Sequence, residues 1–151
     1  MGRGYFGIGI EHGKTVVNLG TLWRSAHIFG ADFIFTINGR YRRQPSDTMA
    51  TWRHVPLFQY ASFEALVESL PKDSRLIGIE QCTDARALGR FQHPDRAIYV
   101  LGAEDHGLSA SALTHCHDYV EIETGYCLNV AVAGSIVMWH RQQQRVKANA
   151  V

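Results

Sequence analysis

The chain has 151 residues, 46% of them hydrophobic and 19% charged, with a formal net charge of +1. This length fits one domain that buries roughly two thirds of its unfolded surface, and the near-neutral charge excludes a strongly basic nucleic-acid-binding domain. The longest apolar run, residues 128–139, is shorter than the ~20 residues that span a bilayer, and no leader opens the chain, so we expect a cytoplasmic protein without a membrane anchor.

The first third of the chain alternates between strand and helix patterns. Residues 5–10 form an apolar run that is typical of a buried strand, and residues 33–37 form a second one. Between them, Asn18 is the predicted N-cap of a helix whose apolar residues recur at helical spacing until Gly30. A strand, a helix and a strand in this order predict a parallel sheet with a right-handed crossover.

Residues 40–54 have no apolar periodicity and predict a long loop. It contains basic and aromatic side chains: Arg40, Tyr41, Arg42, Arg43, Trp52, Arg53 and His54. Two interpretations remain open, a functional loop and a solvated connection whose charges have no role.

The remaining chain continues the alternation. Strands are predicted over residues 55–59, at a sheet edge because of Pro56, and over 76–80, 97–101 and 119–122. Ser62 is the predicted cap of a helix to Leu70, and further helical segments are predicted over residues 84–91 (about one turn), 109–115 and from Asn129 to about Lys147. The pattern predicts a single α/β domain over residues 1–151, with a mostly parallel sheet flanked by helices.

Two short patterns are weak indications of chemistry. Residues 2–7 read GRGYFG, which matches a dinucleotide-binding fingerprint, but that fingerprint follows a strand and opens a helix, whereas this one precedes a strand. An oxidoreductase would depend on this match alone. His115-Cys116-His117 resembles part of a metal site, but no second cluster at ligand spacing exists, so we expect no metal. Together with Cys82 and Cys127, Cys116 makes an odd number of cysteines that predicts reduced thiols.

The stretch from residue 119 to residue 139 reads YVEIETGYCLNVAVAGSIVMW. A β-like segment leads through a glycine-containing turn to Asn129, a natural N-cap for the apolar helix that follows. Backbone amides and an amide side chain at a helix start can hold a polar ligand, so this stretch is a pocket candidate. Cys127 is a further candidate, as a nucleophile activated by the helix start, although no motif supplies its base.

Three stretches carry a family resemblance. Residues 18–26 read NLGTLWRSA (N-x-G-x-x-x-R-x-A), residues 101–108 read LGAEDHGL (L-G-x-E-x-x-G-L), and residues 127–133 read CLNVAVA, close to S-L-N-V-S-V-A. In this order, at predicted strand-to-helix junctions, they resemble the three motifs of the SpoU (TrmH-like) family of RNA ribose 2′-O-methyltransferases, in the SPOUT superfamily. The resemblance implies a SPOUT-type α/β fold with a C-terminal trefoil knot, S-adenosylmethionine as methyl donor, and a homodimer with the active site near the subunit interface.

The resemblance also implies roles for single residues. The first motif places Asn18 and Arg24 in the active site, and the third gives Cys127 the position of the usual serine. Glu123, where the family commonly has proline, is a second departure. The residues implied to be catalytic are Asn18, Arg24, Glu104, Cys127 and Asn129. The residues implied to lie at the cofactor are Leu101, Gly102, Glu104, Gly107, Ile122, Leu128 and Asn129.

These residue types suit methyl transfer to a ribose hydroxyl, which needs alignment and stabilisation of an alkoxide-like oxygen. Arg24 stays protonated near neutrality, so we expect it to activate the hydroxyl electrostatically, with Asn18 and Glu104 orienting by hydrogen bonds and the proton acceptor unidentified. RNA contacts are expected from Arg40, Arg42, Arg43 and Arg53, with further charge from His140, Arg141, Arg145 and Lys147. We expect tRNA as substrate before rRNA; a catalytically silent RNA-binding relative is the alternative, because of Cys127 and Glu123.

Overall fold

Strands and helices alternate along the chain. The computed structural model describes residues 4–13, 16–39 and 51–150, and every structural statement below refers to them. The strands are β1 (Tyr5–Glu11), β2 (Phe33–Ile37), β3 (Leu57–Tyr60), β4 (Arg75–Ile79), β5 (Arg86–Ala87), β6 (Arg96–Leu101) and β7 (Asp118–Glu121). The helices are α1 (Val16–Phe29), α2 (Phe63–Ser69), α3 (Ala110–His115) and α4 (Val130–Asn149), and single 3₁₀ turns span Thr51–Arg53 and Leu88–Arg90.

All the described strands join one sheet, in the order β3-β2-β1-β6-β4-β7-β5, and each neighbouring pair is parallel. The expected parallel sheet flanked by helices is therefore confirmed. The β2 and β3 strands lie on one side of the β1–β6 pair, and β4, β7 and β5 lie on the other, so the strand order switches direction at this pair. In open parallel sheets, ligands bind outside the carboxyl ends of the strands at such a switch in strand order. The trefoil knot implied by the resemblance stays a prediction.

The two faces of the sheet build two cores. Side chains alternate between faces along β6, so Tyr99 and Leu101 pack in one core cluster with residues of α1 and α4, whereas Ile98 and Val100 pack in the other with residues of α2 and α3. A strand covered on both sides reads as a continuous apolar run, which is why β6 was recognisable in the sequence.

Small residues let α1 and α4 pack closely over the first of these cores. A Cβ atom on Gly134 would lie 2.5 Å from the Leu22 Cδ1 atom, and Ser135 Oγ donates to Ser25 Oγ at 2.8 Å. On the outer side of this helix pair, Val132 and Trp139 remain 45% and 51% exposed. Neither α4 nor any other described helix combines the length and apolarity that a membrane crossing requires.

The second half of α4 is anchored by polar contacts. Arg141 is 3% exposed and donates to the Pro94 and Asp95 carbonyls at 2.7 and 3.0 Å. His93 lies between Tyr99 Oη (2.6 Å) and His140 Nδ1 (2.9 Å), and burial lowers the pKa of His93 to about 3, with the charges of His140 and Arg141 acting in the same direction. The expectation that Arg141 adds surface charge for RNA is wrong, because its guanidinium is buried and hydrogen-bonded to these two carbonyls.

Three local predictions differ from the structure. Asn18 is not an N-cap: α1 begins at Val16, and the Asn18 side chain bonds to other elements instead of its own helix amides. Residues 84–91 contain the expected helical turn, but also β5, which pairs with β7. The edge strand β3 occurs as predicted, although it begins after Pro56, and strand and helix ends elsewhere differ by one or two residues. Residues 40–50, most of the predicted loop, lie outside the described residues.

A buried carboxylate ties the end of β1 to the start of α3. Glu11 is 1% exposed, and it accepts hydrogen bonds from the backbone N–H and the hydroxyl of Ser109 at 2.7 and 2.6 Å. The same hydroxyl oxygen caps α3 by accepting from the Ala112 N–H at 3.1 Å. Ser62 caps α2 in the same way through the Ala65 N–H at 3.1 Å, but is not bonded to a buried charge.

Both serines cap a helix, and only Ser109 also donates to a buried carboxylate, so a comparison of the two measures the contribution of that extra bond. We expect Ser62→Ala to cost about 1 kcal/mol of unfolding free energy, the usual value for an N-cap. Ser109→Ala should cost about 2–4 kcal/mol, because a buried carboxylate also loses a hydrogen bond. Urea denaturation of both variants measures the difference; equal losses would mean that the hydrogen bond from the Ser109 hydroxyl to Glu11 contributes nothing to stability.

Candidate active site

The three stretches that carried the resemblance meet at the carboxyl ends of the strands. Asn18 lies in the first turn of α1, after β1; Glu104 lies in the loop after β6; and Asn129 precedes α4, after β7. Because β1 and β6 are adjacent and parallel, the segments that leave them begin side by side. The sheet order therefore brings together residues that are as far apart as 111 positions in the chain.

Glu104 is the centre of a hydrogen-bonded triad with the two asparagines. Its Oε1 atom accepts from Asn18 Nδ2 at 3.1 Å and from Asn129 Nδ2 at 3.2 Å. Asn129 Nδ2 also donates to Asn18 Oδ1 at 2.9 Å, which closes the triangle. We call Asn18, Glu104 and Asn129 the amide–carboxylate triad. All three side chains are at least partly exposed, so the triad is open to a reactant.

Asn129 has a second task, as the N-cap of α4. Its Oδ1 atom accepts from the backbone N–H groups of Ala131 and Val132 at 2.9 and 3.2 Å. The side chain is thus fixed by its oxygen on one helix while its nitrogen is aimed at Glu104. The N-cap predicted from the sequence is confirmed, and it does not compete with a role in the site.

A cavity of about 310 Å³ opens beside the triad, between the carboxyl ends of β4, β6 and β7. Six of the seven residues predicted at a cofactor line it, namely Leu101, Gly102, Glu104, Gly107, Ile122 and Leu128. Asn129 is the exception and stands next to it through its bond to Glu104. The cavity wall also contains Cys127, Ala133 and a set of acidic side chains, Glu80, Asp105 and Glu121.

Two glycines shape the wall formed by the loop after β6. A Cβ atom on Gly102 would lie 2.3 Å from the Gly107 carbonyl carbon and 2.5 Å from the Leu108 nitrogen, so the loop folds back on itself. Gly107 has a φ of +64°, a left-handed conformation that favours glycine, and its N–H donates to the Ala103 carbonyl at 2.8 Å. The L-G-x-E-x-x-G-L pattern therefore encodes a tight loop that presents Glu104 at its tip.

A second cavity of about 220 Å³ lies on the other side of Glu104. It shares Ala103, Glu104, Asp105 and Val130 with the first cavity, and it is bounded by Ile10, Gly13 and Asn18. Glu104 is therefore shared by the two cavities, an arrangement that suits a reaction between two bound partners.

Arg24 does not join the triad. It lies six residues after Asn18 on α1, about 9 Å farther along the axis and on a different side of the helix. Its side chain is exposed and makes no hydrogen bond or ion pair with the described residues. Among the arginines predicted to contact RNA, Arg40, Arg42 and Arg43 lie outside the described residues, and Arg53 is an exposed residue in the first 3₁₀ turn.

The cysteines and histidines have local structural roles. Cys116 ends α3, and burial together with the charge of Glu11 raises the pKa of its thiol to about 12. His117 Nδ1 accepts from the Leu76 N–H at 2.9 Å, and His115 Nδ1 contacts the Ser111 carbonyl at 2.8 Å. Cys127 is exposed at the cavity, but Asn129 occupies the N–H groups of Ala131 and Val132 that would have activated a thiolate.

Sequence reasoning missed several residues of the cavity wall. Glu80, Gln81 and Glu121 line it, although no family motif contains them. One signal was available: Glu80 ended a predicted buried strand, and polar residues at the carboxyl ends of parallel strands meet at one edge of the sheet.

Comparison with known proteins identifies the family of this chain. The sequence profile of the SpoU rRNA methylase family matches residues 8–139, most of the chain. The chain belongs to the SpoU rRNA methylase family. The matched range includes the segments that form the triad and the larger cavity.

One curated protein and two solved structures illustrate what the chain is similar to. The mouse tRNA (guanosine(18)-2′-O)-methyltransferase TARBP1 is 26% identical over 140 residues, which cover 85% of this chain and 9% of that protein. The SpoU methyltransferase AviRb from Streptomyces viridochromogenes, solved with the cofactor AdoMet, superposes with a TM-score of 0.82 at 19% identity, over 97% of this chain and 60% of AviRb. A structure solved for the 2-OH methylation of C/U34 on tRNA superposes with a TM-score of 0.80 at 21% identity, over 97% of this chain and 99% of that chain.

The loop geometry predicts contrasting effects for two glycines in the cavity region. Gly102→Ala forces a methyl group against backbone atoms that cannot move cheaply, so we expect a loss of about 2–3 kcal/mol of unfolding free energy. Gly125→Ala is the control, since a Cβ atom there meets nothing within 4 Å, and we expect a change within about 0.5 kcal/mol. Denaturant titration compares them, and a neutral Gly102→Ala would contradict the close approach of Gly107 and Leu108.

Proposed function

We propose that this chain is an S-adenosylmethionine-dependent RNA methyltransferase that modifies a ribose 2′-hydroxyl, with tRNA as the first candidate substrate and rRNA as the second. The observation that carries the proposal is the amide–carboxylate triad, which joins all three SpoU motifs between two adjoining cavities. Family membership supports the reaction class, and relatives named for tRNA 2′-O-methylation support the order of substrates.

The larger cavity suits the cofactor in size and chemistry. Its volume of about 310 Å³ lies within the usual range of small-molecule sites. Apolar side chains from Leu101, Ile122 and Leu128 offer a surface for an adenine ring. The acidic side chains of the wall favour a ligand that carries positive charge, as a sulfonium does. AviRb, which shares the fold, was solved with AdoMet.

When bound, S-adenosylmethionine supplies a methyl group that its sulfonium already activates for attack. What the protein must add is alignment of the hydroxyl with that methyl group. Glu104, held by two amide nitrogens, has an oxygen left to orient the ribose hydroxyl from the smaller cavity. The methyl–sulfur bond would break as the new carbon–oxygen bond forms, which would leave a neutral thioether, and the hydroxyl would give up its proton to an acceptor that is unassigned.

Arg24 would act at a subunit interface. Exposed apolar side chains lie on the same helix pair as Arg24, namely Val17 and Ile28 on α1 and Val132 and Trp139 on α4, and a second copy of the chain would bury them. A homodimer through this face puts Arg24 where two sites can adjoin. There its guanidinium can stabilise the developing charge on the ribose oxygen without accepting a proton.

A catalytically silent RNA-binding relative is the second candidate. It is favoured by Cys127, which lies exposed at the cavity where the family has serine, and a thiol is a poorer hydrogen-bond partner than a hydroxyl. Incubation of labelled S-adenosylmethionine with bulk tRNA and with rRNA separates the two candidates, because only the enzyme transfers label. A cytoplasmic location, consistent with three free cysteines, belongs to both.

Arg24→Ala tests the assigned catalytic role. We expect methyl transfer to fall by about 100-fold or more, the usual effect of removing an electrostatic stabiliser, while S-adenosylmethionine affinity stays within about threefold, since Arg24 does not line the cavity. Label transfer at saturating RNA and calorimetry measure the two quantities. Arg90→Ala, at another exposed arginine, is the control and should retain full transfer. Full transfer by Arg24→Ala would show that its role is wrongly assigned.

A further inference from the structure

Glu80 is a carboxylate that three strand ends hold at the wall of the larger cavity. It follows β4 directly, and its backbone N–H donates to the Val120 carbonyl of β7 at 3.0 Å. Its Oε2 atom accepts from the Leu108 N–H, in the loop after β6, at 2.8 Å. The side chain is thereby fixed against both neighbouring elements before any ligand arrives.

The second carboxylate oxygen has no such partner. A Cβ atom on Gly107 would lie 2.5 Å from Oε2 and 3.2 Å from Oε1, so the carboxylate lies against the backbone of that glycine. Oε1 accepts no hydrogen bond from the described residues, and it is not among their buried unpaired side-chain atoms. An ionised carboxylate offers about four acceptor positions, of which only one is occupied here. Oε1 is therefore a pre-oriented acceptor that solvent or a ligand can reach.

The other acidic side chains of this wall are less suited to hold a ligand. Glu104 receives two amide donors on one oxygen, and its other oxygen is assigned to the hydroxyl of the RNA; Asp105 Oδ2 lies 3.4 Å from His106 Nε2. Glu121 lines the same cavity, but no contact in the described chain holds its carboxylate in one orientation. Glu80 therefore combines a fixed position with an open oxygen that has no other assigned role.

We propose that Glu80 binds the ribose of the cofactor by accepting hydrogen bonds from its vicinal hydroxyls, a role that depends on the proposed use of S-adenosylmethionine. In parallel α/β sheets that bind nucleosides, an acidic residue at a strand end commonly accepts from ribose hydroxyls. The glycine beneath the carboxylate allows the sugar to approach the loop, while the apolar side chains of Ile122 and Leu128 receive the base. Glu80 is thus a cofactor-binding residue outside the three motifs.

Glu80→Gln is the test variant, because the amide oxygen can still accept from the Leu108 N–H. Glu121→Gln is the matched control: it removes one negative charge from the same wall without removing an anchored acceptor. Calorimetry follows three ligands: S-adenosylmethionine, the uncharged thioether S-adenosylhomocysteine, and 5′-methylthioadenosine, which keeps the ribose but lacks the amino acid. Urea denaturation should give the same midpoint for Glu80→Gln and the wild type.

We expect Glu80→Gln to weaken all three ligands alike, by about 10-fold or more, as for a lost hydrogen bond to a charged group. Glu121→Gln should change the affinities by less than about threefold. Unchanged affinities in Glu80→Gln would overturn the assignment, and so would equal losses in both variants, which indicate charge attraction alone. A loss that spares 5′-methylthioadenosine would instead assign Glu80 to the ammonium group and also overturn the proposal. If the wild type binds none of these ligands, it is the proposed function that fails.

Discussion

The pairing of β1 with β6 is the constraint on which the site depends. These strands are separated by most of the chain, yet they lie side by side and parallel, so the segments that follow them leave from the same edge of the sheet. One segment leads into α1 with Asn18, and the other folds into the glycine loop with Glu104. Asn129, which caps α4, completes the triad. No local feature of any of the three stretches could make this contact without the sheet.

The same architecture separates the larger cavity from the exposed apolar surface of the helices. The larger cavity is lined by strand ends and the loops after them, whereas the exposed apolar side chains lie on the outer side of α1 and α4. Charge follows this division, with acidic groups around the cavity and Arg24 on α1. A chain with a net charge of only +1 can thus combine an acidic cavity wall with a separate surface that carries Arg24.

Much of the fold followed from the sequence, because it depends on local patterns. Buried parallel strands read as apolar runs, and Ser62, Ser109 and Asn129 cap helices in the structure as their residue types predict. Asn18 was misread because its side chain satisfies a tertiary contact instead of a helix amide. β5, only two residues long, has too little pattern to recognise. Arg141 looked like a surface charge because only the fold reveals the carbonyls that it meets.

The site was predictable only where family motifs exist. The resemblance named the members of the triad and part of the cavity wall, but it could not reveal that the two asparagines meet on Glu104. Glu80 was missed because its partners, Leu108 and Val120, are brought to it by the sheet. The departure at Cys127 was visible in the sequence, and the structure places the thiol at the cavity, where its effect on the reaction can be measured.

Asn129→Asp tests the central claim most directly, because it separates the two tasks of one side chain. The aspartate can still cap α4, so the unfolding free energy should stay within about 1 kcal/mol of the wild type. It replaces the donor that faces Glu104 by a like charge, so we expect label transfer from S-adenosylmethionine to RNA to fall by about 100-fold or more. A variant that folds normally and transfers methyl groups at the wild-type rate would contradict the role of the triad.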